Sequence, residues 1–190
     1  MTNGSPVRKT RFGIIVLRFS VLLLLYTQAF TPQPQAGDSW RQLLLVDTQW
    51  LTRHLGDSSK TIIDARSSAD YQAGHIPGAI SLPVNLTYHT NMSRRLISQP
   101  GFESLAGGRG ISNDSDLIIY GNENYVDATR LFWVMQIYGH KRVSLLDGGY
   151  PAWRAAGLPV DTVAVELAPV NYLAAIRPEF LVTRLQMRLA

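Results

Sequence analysis

The chain has 190 residues, which allows one domain with short appendages. Its 46% hydrophobic content can fill one core, and zero cysteine excludes disulfides and thiolate metal sites. The net charge of +4 invites a nucleic-acid reading, but its placement argues against one. Arg8, Lys9, Arg11 and Arg18 stand in the first 36 residues without an acid, and beyond them acids and bases balance. No nucleic-acid partner is therefore expected.

The basic start leads into two apolar runs, Phe12–Leu17 and Val21–Tyr26, interrupted at Arg18. A positive segment ahead of a short apolar core is the pattern of a secretory signal peptide. Cleavage is expected after Ala29, with Ala36 as a second candidate. The alternative is an uncleaved anchor, which would confine membrane association to residues 8–30. A spanning helix needs about 20 mostly apolar residues, and a charge at mid-membrane is costly, so Arg18 favours the signal peptide. Residues 1–36 are thus assigned to a signal peptide or membrane anchor plus the Pro-rich linker that begins at Phe30. The expected location is exported, periplasmic or extracellular, or membrane-anchored through this segment.

In the body, Leu43–Val46 is a short apolar run, and Asp47 can cap a helix over Thr48–Leu55. Thr61–Asp64 reads as a buried strand, Ser67–Gln72 as a short helix ended by Gly74, and Ala79–Leu82 as a second strand. A helix is expected over Gly101–Ala106, followed by a flexible Gly107-Gly108-Arg109-Gly110. Asp116–Tyr120 is the clearest central strand. Helix Val126–Tyr138, strand Val143–Leu146 and helix Pro151–Ala156 follow. Strands alternating with helices predict an α/β fold, a parallel sheet with helices on both faces, preceded by the hydrophobic targeting segment. Residues 161–190 show no compact pattern until Pro178–Leu189, which is expected to be helical.

Three strings carry most of the information. Ile62–Arg66 places Asp64 and Arg66 at the end of a buried strand, where open α/β sheets bind ligands, and the two are read as a structural scaffold pair rather than as ligand contacts. Tyr71–Ala79 holds Gly74-His75-Ile76-Pro77-Gly78, a fixed turn in which His75 is read as a hydrogen-bonding strut rather than a general base. Val143–Trp153 holds Asp147-Gly148-Gly149, a tight strand-to-helix turn, and Trp153, expected to pack under the sheet. Together they resemble a rhodanese domain, the module of thiosulfate sulfurtransferases, over roughly residues 44–165. Residues 166–190 then resemble a linker and the start of a second rhodanese domain. Asn85, Asn91 and Asn113 begin glycosylation sequons, read as chance occurrences.

The resemblance implies chemistry through a cysteine thiolate that carries a sulfur atom. It places that cysteine directly after the central strand, in a loop whose backbone N–H groups form an anion cradle at a helix N-terminus. Here the loop is Gly121-Asn122-Glu123-Asn124-Tyr125-Val126. Gly121 occupies the nucleophile position, and Glu123 adds a charge that repels thiosulfate. The loop and the following helix are similar to the first domain of a two-domain thiosulfate sulfurtransferase. The resemblance therefore implies a catalytically inactive domain, with no catalytic residue, cofactor or metal, scaffolding a second rhodanese domain. A free-standing module that binds an anion or a partner protein is the alternative.

Overall fold

A computed structural model describes Met1 and residues 44–89 and 92–181. The targeting segment of residues 1–36 and most of the expected Pro178–Leu189 helix lie outside the described residues. Among the described residues, no helix is long and apolar enough to cross a membrane.

The elements in chain order are β1 (Leu45–Val46), α1 (Thr48–Arg53), β2 (Lys60–Asp64), α2 (Ser68–Ala73), β3 (Ile80–Ser81), β4 (Tyr88–His89), β5 (Met92–Leu96), α3 (Gln99–Gly108), β6 (Asp116–Tyr120), α4 (Val126–Ile137), β7 (Val143–Leu146) and α5 (Gly149–Ala155). The caps are local and readable. Asp47 accepts from Trp50 N–H (2.6 Å), Ser67 from Asp70 N–H (3.1 Å) and Ser98 from Gly101 N–H (3.3 Å). The Ser98 cap starts α3 earlier than its apolar residues suggest, and the helix runs through Gly107-Gly108 instead of ending before them.

Strands β1, β7, β6, β2 and β3 form, in that order, one parallel sheet. Both faces are buried, and neighbouring residues alternate between them. Ile63, Leu117, Ile119 and Val143 pack beneath α3 and α4 with Phe102, Leu131 and Met135. Ile62, Ile118, Tyr120 and Leu146 pack on the other side with Leu51 and Trp153. An antiparallel β4–β5 hairpin, preceded by a 3-10 turn at Val84–Thr87, lies outside this sheet.

Residues 158–177 form an extended strap laid over the domain. Trp153 Nε1–H donates to Pro159 O (2.7 Å), and Asp161 and His75 exchange two backbone hydrogen bonds (both 2.9 Å). Val170 N–H then donates to Gly107 O (2.9 Å). Asn113 clasps the backbone of Leu173 from both sides, donating to its carbonyl (2.8 Å) and accepting from its amide (3.0 Å). Tyr172 inserts its ring beside Phe102 and over His140. His140 is buried, with Nδ1 3.2 Å from Tyr172 OH and Nε2 2.9 Å from Ser115 O. Burial pushes its pKa down, so the ring is held neutral. Residues 166–177, expected to be a linker, are thus fastened to the same core. Pro178–Phe180 forms only a 3-10 turn within the described residues.

The strap separates two adjacent glycines. A Cβ on Gly107 would collide with the backbone carbonyl of Val170, whereas one on Gly108 would meet nothing within 4 Å. Gly108→Ala should therefore raise stability by about 0.5–1 kcal/mol through helix propensity. Gly107→Ala should lower it by about 1–3 kcal/mol through overpacking. Urea unfolding of the two variants checks this, and equal effects would contradict the placement of the strap.

Candidate functional site

The site region lies at the carboxyl ends of β2, β6 and β7, the edge where parallel sheets bind ligands. Its foundation is a buried ionic cluster. Asp64 is fully buried at the end of β2, and Arg66 is 4% exposed. The Nε and Nη2 edge of Arg66 faces the carboxylate side-on, at 3.0 Å to Oδ1 and 2.6 Å to Oδ2. Arg66 N–H also donates to Oδ1 (2.9 Å), and the Tyr120 hydroxyl donates to Oδ2 (2.7 Å). Arg66 Nη2 makes a further bond to Gly74 O (2.7 Å), and the guanidinium lies 3.7 Å from the centre of the Tyr150 ring. Tyr120 OH accepts from Ile76 N–H (3.2 Å).

The electrostatics suit a permanent strut. Burial lowers the Arg66 pKa, but the hydrogen bonds and charge of Asp64 outweigh it, so the net shift is upward. Burial, then the Asp64 charge, push the Tyr120 phenol well above its usual range, so it remains a donor. Asp64 and Arg66, named from sequence as scaffold, are thus joined to Gly74 and Ile76 of the second string and to Tyr150 of the third. Tyr120 and Tyr150 were not singled out in the sequence. The strand-end position of Tyr120 beside a buried acid was the available signal.

The other scaffold residues are also engaged. His75 is fully buried, with Nδ1 2.8 Å from Tyr71 O, Nε2 3.2 Å from Val163 O and its ring stacked on Tyr71 at 3.8 Å. Both ring nitrogens point at backbone carbonyls inside the fold, which suits a buried strut. Pro77 and Gly78 form a turn closed by Ala79 N–H to Ile76 O (3.0 Å). Trp153 is fully buried. Asp147 is exposed, and its N–H donates to Val46 O (2.8 Å).

The loop after β6 is locked to the Asp147–Tyr150 turn. Gly121 is buried, and its carbonyl accepts from Tyr150 N–H (2.9 Å). Gly149, at φ +56, lies so close that a Cβ there would sit 2.6 Å from Gly121 O. Tyr125, also left-handed at φ +55, sends its hydroxyl to accept from Gly148 N–H (2.9 Å). Within the loop, Tyr125 N–H donates to Asn122 O (3.1 Å) and Val126 N–H to Asn124 Oδ1 (3.2 Å). Among the described residues, no acceptor meets the N–H groups of Asn122, Glu123 and Asn124. Three of the six loop residues therefore keep an unused amide donor, beside the exposed Glu123.

The space at position 121 is tight. A Cβ there would lie 3.2 Å from both the Cβ and the backbone N of Ala128, on the first turn of α4. A side chain at 121 requires Ala128 to give by a few tenths of an ångström.

The comparisons with known proteins agree with this geometry. The rhodanese-like domain family model matches residues 47–156. The chain belongs to the rhodanese-like domain family. It is 32% identical over 149 residues to the 3-mercaptopyruvate sulfurtransferase of Escherichia coli, covering 72% of this chain and 53% of that protein. It is 32% identical over 129 residues to thiosulfate/3-mercaptopyruvate sulfurtransferase 2 of Arabidopsis thaliana, covering 62% of this chain and 38% of that one. The crystal structure of a 3-mercaptopyruvate sulfotransferase of rhodanese fold from Escherichia coli superposes with a TM-score of 0.71 at 30% identity. That match covers 76% of this chain and 60% of the other. The chain spans about half the length of the curated relatives it matches.

Removing one partner of the buried pair should be costly. Arg66→Met leaves Asp64 buried and uncompensated, with an expected loss of about 3–5 kcal/mol. The double variant Asp64→Asn/Arg66→Met should recover part of that loss, because the stranded charge goes with it. Thermal or urea unfolding of the single and double variants measures the coupling. Additive losses would remove the ionic cluster from its role as foundation.

Proposed function

We propose that this chain is a non-catalytic member of the rhodanese-like sulfurtransferases, scaffolding a cysteine-bearing rhodanese domain. One observation carries the reading. The strand-end position that the family resemblance assigns to the nucleophile is Gly121, which has no side chain to act as one. Sulfur transfer of the rhodanese type needs a thiolate that attacks sulfur and holds it as a persulfide. The sequence has no cysteine, and no hydroxyl, imidazole or carboxylate substitutes for it in that exchange.

The rest of the site supports the scaffold role. The ionic cluster, the His75 strut and the Gly121–Tyr150 junction all serve packing. Several relatives are sulfurtransferases of about twice the matched length, which fits a domain that works beside another of its kind. The unused N–H groups of Asn122–Asn124 favour the second reading, a free-standing module that binds an anion or a partner protein, with Glu123 opposing the anion.

The purified chain should release no thiocyanate from thiosulfate and cyanide above the uncatalysed rate. Gly121→Cys alone should take up little sulfur, because its thiolate stands two residues from the charge of Glu123. Gly121→Cys with Glu123→Arg should gain one sulfur atom per chain after thiosulfate treatment, seen by intact-mass spectrometry. Thiocyanate turnover by the unmodified chain would overturn the reading. Equal loading of single and double variants would remove its electrostatic part.

A further inference from the structure

Arg130, on α4, is the one arginine among the described residues with buried side-chain nitrogens that meet no acceptor. Its Nε and Nη2 are both shielded from solvent and without a hydrogen-bond partner. The side chain as a whole is half-buried, so the group lies just beneath the surface. Its guanidinium rests 4.2 Å from the centre of the Tyr88 ring and 5.8 Å from that of Trp133. Trp133 is in turn fixed by its Nε1–H to Phe180 O (3.3 Å), in the 3-10 turn that follows the strap. The acid one turn earlier, Asp127, is affected by Asp70 instead. Burial, then the Asp70 charge, push its carboxyl up.

Buried donors normally find partners, and an unsatisfied one costs about 1–3 kcal/mol, more when charged. The stack on an aromatic ring offsets part of this cost, typically about 0.5–2 kcal/mol. It also holds the planar fork in one orientation, which lowers the entropy lost on pairing. The chain itself shows what this edge accepts. Arg66 uses the same two atoms, Nε and Nη2, to hold the two oxygens of Asp64 side-on. A planar carboxylate matches that edge with two parallel hydrogen bonds.

We infer that Arg130 anchors a carboxylate-binding site between α4 and Tyr88, separate from the Gly121 loop and not dependent on how that loop is read. The carboxylate comes either from a small organic acid or from an Asp or Glu side chain of another protein. Binding needs a small outward shift of the guanidinium along the Tyr88 face, since the receptive edge is covered in the free domain.

The test is an NMR titration of the full chain, observing arginine Nε–H resonances, with the Arg130 signal assigned by its loss in Arg130→Lys. Sodium acetate and the peptide acetyl-Glu-Glu-Glu-amide are titrated against sodium chloride at constant ionic strength. Exposed Arg154 serves as the internal reference. The Arg130 signal should move saturably, with a midpoint about tenfold or more below that of Arg154, because its fork is already oriented. Saturation by the peptide well before acetate assigns the site to protein carboxylates, and the reverse assigns it to small acids. A linear response matching Arg154 would overturn the inference and leave a trapped water as the partner of this edge. Tighter response to sulfate than to either carboxylate would overturn the planar-ligand assignment.

Discussion

The side-on pairing of Arg66 with Asp64 is the interaction on which the rest of the site depends. A carboxylate in a fully buried position at a strand end is tolerated only when its oxygens are satisfied, and here backbone, guanidinium and phenol donors all converge on it. These donors come from Arg66 and Tyr120, and both residues reach on to other parts of the site. Arg66 reaches Gly74, Tyr120 reaches Ile76, and Tyr150 covers the guanidinium. Three strings far apart in the chain are therefore held in one arrangement by a single buried charge pair.

The consequence is a fixed frame around the loop that starts at Gly121. The sheet, the helix α4 and the Asp147–Tyr150 turn still frame a loop at the ligand-binding edge. Within it Gly121 is engaged through its carbonyl, and Ala128 of α4 packs closely against it. A buried network this well satisfied holds its own geometry.

Much of this was legible in the sequence, for physical reasons that differ by element. Asp47 and Ser67 announced helix starts because capping is a local hydrogen bond. Ile62-Ile63 and Leu117–Tyr120 announced central strands because both faces of a parallel sheet are apolar. The β4–β5 hairpin was missed because its residues are mixed and polar, with no period-two pattern to read. Gly107-Gly108 read as flexible. In fact Gly107 is required by the close approach of Val170 O, a contact 63 positions distant that no local pattern records. The strap escaped for the same reason. Asp161, Tyr172 and Leu173 each find a partner individually, on His75, His140 and Asn113, so no periodicity develops.

The central claim is that the buried pair makes these loops one rigid unit rather than separately mobile segments. Native-state hydrogen exchange of the amides of Ile76 and Tyr150 tests it most directly, since each donates into the cluster or to the Gly121 loop. Both should exchange only through global unfolding, with protection matching Ile118 and Ile119 in the central strand. Exchange of either amide at the rate of an exposed loop, while the central strand stays protected, would contradict the account.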